Sequence, residues 1–189
     1  MSSKFFRWGA LGAFLFQAVL LTWLIADRAM LLANGEEVRL AVVPVDPRDL
    51  LRGDYVVLTY EISRLDETQL DGDGDFAKGD TIYVSLVRDG QGWRADAIHR
   101  EKPSDGFLLR GRVDWTTTGG RDCLSGDCRI VVVEYGLERF FVPEGRGRAL
   151  ENLRNDQRVS VDIAVAGDGK AALKRLLVDD EVRYEESLF

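Results

Sequence analysis

The residues able to do chemistry are few, and their spacing limits what they can do. His99 is the sole histidine. A Ser-His-Asp triad would have to use it, and a multi-histidine metal site is impossible. It ends a predicted strand beside Arg100, where an ordinary surface or half-buried imidazole is the plainer reading. Cys123 and Cys128 enclose Leu-Ser-Gly-Asp. That spacing does not match a Cys-x-x-Cys redox pair, and no second pair exists to complete a zinc site. Outside the cytoplasm, two cysteines at a hairpin tip pair as a disulfide; inside it they stay free thiols. Closing so short a loop is worth about 2 kcal/mol in the chain-entropy picture. Asp71, Asp73 and Asp75 in LDGDGDF imitate the start of a calcium loop. The sixth and twelfth places, where such a loop needs Gly and Glu, hold Phe76 and Ile82, so a surface loop with solvated carboxylates is expected. No metal and no cofactor is expected.

The densest charge lies in PVDPRDLLRGDYVVLTY, from Pro44 to Tyr60. Asp46, Arg48, Asp49, Arg52 and Asp54 crowd ahead of a strong strand. Such a network either braces a loop or receives a partner's charged group, because guanidinium and carboxylate pair in a bidentate fork. Asp46 or Asp49 with Asp54 and Glu144 could also do acid–base work if burial split their pKa values, which is the hydrolase alternative. A small-ligand sensor built on the same loop is a third. Arg52-Gly53-Asp54 has an echo in Lys78-Gly79-Asp80, each leading into a strand. Gly would supply positive φ there, and Asp would bond the following N–H groups.

Two kinds of element must position these residues. Gly9 to Ala26 is an uncharged apolar run, about 27 Å long as a helix, against a hydrocarbon core of roughly 30 Å. Lys4 and Arg7 precede it, and Trp8 and Trp23 sit near its ends as interfacial anchors. The positive flank keeps the N-terminus in the cytoplasm and sends the rest outside. A cleaved signal peptide is the rival, but the run is long and no small-x-small site directly follows it. Residues 1–33 are therefore read as anchor and juxtamembrane segment, and 34–189 as one extracytoplasmic domain.

After Asn34-Gly35 the pattern alternates. Strands are expected over Val38–Val45, Tyr55–Ser63, Thr81–Arg88, Trp93–His99, Phe107–Trp115, Arg129–Tyr135, Arg158–Val165 and Ala172–Val178. Val56, Leu58, Tyr60 and Ile62 point one way; Ile82, Val84 and Leu86 form another apolar face. Turns fall at Asp89–Gly92, Ser104–Gly106 and Gly167–Gly169. A short helix is expected near Gly147–Arg154 and another in the last residues. The fold class is mainly β: a single barrel or sandwich-like domain after one N-terminal transmembrane helix. The net charge of −7 argues against nucleic acid and against a polybasic grip on lipid.

Gly53-Asp54-Tyr55-Val56-Val57-Leu58-Thr59-Tyr60 matches GDYxxLxY at every specified position. The chain therefore resembles the family of bacterial membrane-associated proteins named after that motif. Tyr135-Gly136-Leu137-Glu138-Arg139-Phe140-Phe141-Val142-Pro143-Glu144-Gly145 resembles that family's second characteristic segment. The resemblance implies a role beside polytopic membrane proteins and no particular chemistry. A weaker similarity, to type I signal peptidases, rests on an anchor, a Pro-containing loop and Gly-Asp before a strand. Alignment on Gly53-Asp54 puts Val45 on the nucleophilic serine, and no lysine beyond the anchor sits in a matching context, so Ser-Lys proteolysis is not expected. The reading is a non-enzymatic accessory protein docking on an integral membrane partner. Its recognition surface would join Asp46–Asp54 to Tyr135–Gly145, with Arg139 and an outward Phe140 or Phe141 as anchors.

Overall fold

The computed structural model describes residues 3–43, 55–90, 92–119, 128–141 and 158–186. One helix, α1 (Ser3–Asn34), precedes only strands and a single 3-10 turn among the described residues. The apolar run thus forms a helix as expected, but the helix does not stop at Ala26. It continues through Asp27 and Arg28 to Asn34, because Ala29–Ala33 is a second apolar patch without a breaker. The last helical bond runs from Gly35 N–H to Leu31 C=O (2.9 Å), and β-structure starts at Glu36, where Gly35 alone leaves room for the close approach of Ala164 and Val165. Arg7–Asn34 is long and apolar enough to cross a membrane.

The strands are β1 (Glu36–Val43), β2 (Tyr55–Val57), β3 (Thr59–Tyr60), β4 (Arg64–Asp66), β5 (Asp71–Gly72), β6 (Thr81–Asp89), β7 (Gly92–His99), β8 (Phe107–Thr118), β9 (Arg129–Glu134), β10 (Arg139–Phe141), β11 (Val159–Val165), β12 (Ala171–Val178) and β13 (Glu181–Glu185). They build a five-stranded sheet in the order β13-β12-β11-β1-β3, a six-stranded sheet in the order β4-β9-β8-β6-β7-β5, and a small β10-β2 ribbon. All pairs are antiparallel except β5 with β7. Val38, Leu40, Val161 and Ile163 of the first sheet share one buried cluster with Ile82, Val84, Leu109 and Val131 of the second. The domain is a half-barrel or sandwich closed over that cluster, as alternating strands require.

Two expectations need correction. The stretch Tyr55–Ser63 is not one strand. It breaks at Leu58 and ends in a 3-10 turn over Glu61–Ser63, because here the chain leaves the first sheet and enters the second at β4. Among the described residues, the C-terminal stretch forms a strand and not the expected helix. Asp179 and Asp180 both adopt positive φ (52° and 64°), the geometry of a two-residue primed turn, and this folds β13 back on β12. The Asp179 carboxylate accepts from the Arg158 guanidinium, and that bond holds its pKa below the usual carboxylate range. The helix expected near Gly147–Arg154 lies outside the described residues. β4, β5 and β10 are too short to leave a period-2 signal.

Candidate functional site

The GDYxxLxY motif and the second segment meet through their backbones. β2 pairs with β10 so that Tyr55 faces Phe141, Val56 faces Phe140, and Val57 faces Arg139. Just past β2, Leu58 N–H donates to Glu138 C=O (2.8 Å). Both segments change direction here. One turns at Glu61–Ser63, the other at Gly136, where φ is 78° and a side chain would be strained.

Two buried tyrosines clasp these turns reciprocally. Tyr60 O–H donates to Leu137 C=O (2.6 Å), and Tyr135 O–H donates to Ile62 C=O (2.6 Å). Each hydroxyl thus satisfies a carbonyl at the other segment's turn, Ile62 within one and Leu137 just past the other, which a buried carbonyl outside a strand ladder needs. Ser63 Oγ accepts Tyr60 N–H (3.2 Å), and the Glu138 carboxylate accepts Tyr135 N–H (2.5 Å). Leu58, Tyr60 and Ile62 are buried, as the predicted face requires, and the Val56 side chain of that face lies outside the described residues; Leu137 is buried too, whereas Val57 is exposed. Leu58, Tyr60, Tyr135 and Glu138 are therefore occupied inside the fold. Arg139 is exposed; Phe140 is partly buried, packs on the core and lies 5.8 Å from Tyr184. The side chains of Tyr55 and Phe141 lie outside the described residues, as do Asp46, Arg48, Asp49, Arg52, Gly53, Asp54, Glu144 and Cys123.

Burial first, and the Glu138 carboxylate second, push both phenols above their ordinary pKa. A group whose folded pKa is raised contributes stability below its unfolded value, and that stability is lost as pH climbs through the folded one. The domain is expected to hold its clasp up to about pH 10 and to weaken progressively above it. Tyr60→Phe with Tyr135→Phe should lower stability at neutral pH yet flatten the alkaline loss. Unfolding midpoints at stepped pH check this; an equally steep alkaline loss in the double variant would place its cause elsewhere.

The acidic loop resembling a calcium site is closed by arginines. Arg100 donates to Gly74 C=O and Asp75 C=O (both 2.8 Å) and to the Asp80 carboxylate (3.2 Å). Arg129 reaches the Asp75 carboxylate (2.5 Å) and Phe76 C=O (2.9 Å), and pairs with Glu67 (3.3 Å). Asp73 accepts Arg100 N–H (2.8 Å). These guanidinium groups supply the positive charge that a cation would. Among the described residues no cluster of His, Cys, Asp and Glu fits a metal ion. At the predicted turn, Gly79 has φ of 93°, but the Asp80 carboxylate accepts the preceding Ala77 N–H (2.9 Å) rather than a following one. That bond, then Arg100, keeps Asp80 below the usual carboxylate range. His99 is half-buried opposite Tyr83 in the β6–β7 pair.

One charged array has no forerunner in the sequence reading. On the face of the first sheet away from the core, Asp162 is buried between Arg39 (2.8 Å) and Arg175 (3.1 Å), and Arg175 and Lys174 both hold Glu37. The Lys174 bond, with Arg175 beside it, keeps the Glu37 carboxyl below its usual range. Alternation places Glu37, Arg39, Asp162 and Arg175 outward, and a bulge at Lys174 lets this neighbour of Arg175 join them, but only strand register puts Arg39 and Arg175 on either side of Asp162.

Comparison with known proteins adds one result. The family described as GDYXXLXY protein matches residues 17–176. No curated protein and no solved structure matches the chain.

Proposed function

Because the chain belongs to the GDYXXLXY family, we propose that it is a membrane-tethered accessory protein without enzymatic activity, which docks on an integral membrane partner. One observation carries this reading: the helix is seated on the strand domain rather than joined by a slack linker. Leu32 packs on Ala164 and Ala172, small residues on the sheet's outer face. Arg28 pairs with Glu186 (3.0 Å), and Asp27 with Lys170 (3.6 Å). A hydrophobic seat with flanking ion pairs restrains the relative motion expected of joined units. The domain is thereby held at one height and angle above the bilayer, which suits a partner fixed in the same membrane. The buried Leu58 and Tyr60 of the motif, and Tyr135 of the second segment, support a packing role for both, since catalysis has to be argued from a site with free reactive groups.

The recognition surface in this reading is Arg139 on β10 together with the charged loop Asp46–Asp54 that precedes β2. Arg48→Glu combined with Arg52→Glu should lower recovery of the co-purifying membrane protein by about tenfold or more. The unfolding midpoint of the detergent-extracted chain should not move. Unfolding of the variant would make the loop a structural brace, and full recovery would put the surface elsewhere.

The orientation follows from Lys4 and Arg7 ahead of the span, which keep the N-terminus inside and put the strand domain on the periplasmic side of the bacterial inner membrane. The same compartment would pair Cys123 with Cys128. Cys128 is buried at the foot of β9, and its C=O accepts Gly119 N–H (2.9 Å), which brings the two ends of that connection together. Peptides prepared without reductant should show the two cysteines linked. Recovery of both as alkylated thiols would turn the domain toward a reducing compartment.

A further inference from the structure

The span has two polar side chains of different standing. Thr22 Oγ1 donates back to Ala18 C=O (2.8 Å) and needs nothing from outside the helix. Gln17 is exposed and finds no hydrogen-bond partner among the described residues. It stands ten residues from both Arg7 and Asp27, the charges that bound the uncharged segment. That is about 15 Å from each, the middle of a hydrocarbon core of roughly 30 Å. An amide there brings two donors and an acceptor into a solvent that offers none.

The direction of Gln17 narrows what can satisfy it. At about 100° per residue, Ala10, Ala13, Leu21, Leu24, Arg28 and Leu31 all project within roughly 40° of Gln17. Arg28 and Leu31 are on the side that meets the strand domain, through Glu186 and through the cluster of Leu32, Ala164 and Ala172. The space against Gln17 therefore lies beneath the domain. Two copies of this chain packed on that face would each bring a strand domain over the shared axis, and the domains would collide. A helix of a different protein, ending near the membrane surface, meets no such obstacle. Ala10 and Ala13 let its backbone approach closely. The opposite face carries Trp8, Leu15 and Val19, all exposed and suited to lipid.

We propose that Gln17 is an intramembrane docking residue. Its amide hydrogen-bonds a polar side chain on a transmembrane helix of another integral membrane protein, and that helix lies under the strand domain. This deepens the accessory-protein reading above and rests on it. The test uses the full chain in the membrane of the cells that make it, with a photo-cross-linking residue introduced at Ala13, Leu21 or Val19. Ala13 and Leu21 should give adducts whose sequenced partner peptide lies within an apolar span of another protein; Val19 should not. Gln17→Leu should reduce adduct yield at Leu21 by roughly threefold to thirtyfold, the range for an interhelical hydrogen bond. An adduct between two copies, equal yield at Val19, or an unchanged yield in Gln17→Leu would each overturn the proposal. Labelling of Gln17→Cys by a water-soluble maleimide would overturn the membrane-anchor reading itself, and a failure of that kind is distinguishable from the others.

Discussion

Leu58→Ala is expected to lower the stability of the strand domain by about 2–5 kcal/mol, the range for deleting a buried leucine. Leu58 has no exposed surface and belongs to the single cluster that joins the two large sheets. The site has little freedom to collapse around the vacancy. The backbone of Leu58 is tied to Glu138, and the neighbouring turns are held by the hydroxyls of Tyr60 and Tyr135. A cavity whose walls cannot relax costs the most. The companion change one residue earlier, Val57→Ala, removes a side chain that is 42% exposed and should stay within about 0.5 kcal/mol. Denaturant unfolding of the intact chain in detergent compares the two. An unchanged midpoint in Leu58→Ala with a lowered one in Val57→Ala would mean that the motif's buried face is assigned backwards, and that Leu58, not Val57, is available to a partner.

Phe76→Ala should be at least as damaging, at about 3–5 kcal/mol. Its ring is fully buried, and the Arg100 guanidinium lies 4.7 Å from the ring centroid. Its backbone is gripped from both ends: Phe76 N–H donates to Glu67 (3.1 Å), and its C=O accepts from Arg129. Loss of the ring removes core volume and also the surface on which Arg100 rests while it reaches Gly74 and Asp75. Asp75→Asn is the contrast. That carboxylate is 90% exposed, and its ion pair with Arg129 is screened by water, so a change of less than about 1 kcal/mol is expected. A large loss in Asp75→Asn with a small one in Phe76→Ala would show that charge, not packing, holds this loop.

Phe76 also shows why the site was only partly legible. In the sequence, Asp71, Asp73 and Asp75 look like three free carboxylates, and Phe76 looks like a mismatch in a calcium loop. The arginines that neutralise the loop are Arg100 and Arg129, 25 and 54 residues from Asp75. No local spacing rule reaches that far. Tyr60 and Tyr135 are similar. Each reads as an aromatic near the end of a strand, yet their reciprocal bonds span 77 and 73 residues. The charged ladder around Asp162 depends on a register between three strands, and register is a property of pairs.

The sequence by itself determined the apolar helix, seven of the eight expected strands to within a few residues at most ends, the buried face of Leu58, Tyr60 and Ile62, and the family motif. These are carried by periodicity and by runs of neighbours, which act over a few residues and do not depend on what packs above them. Tertiary structure alone decided where the chain changes sheets, that β13 replaces a terminal helix, that the helix is seated on Ala164 and Ala172, and that Tyr60 and Tyr135 brace each other's turns. Each of those is settled by segments far apart in the chain competing to bury the same surface and to satisfy the same carbonyls, and no stretch of sequence states that balance alone.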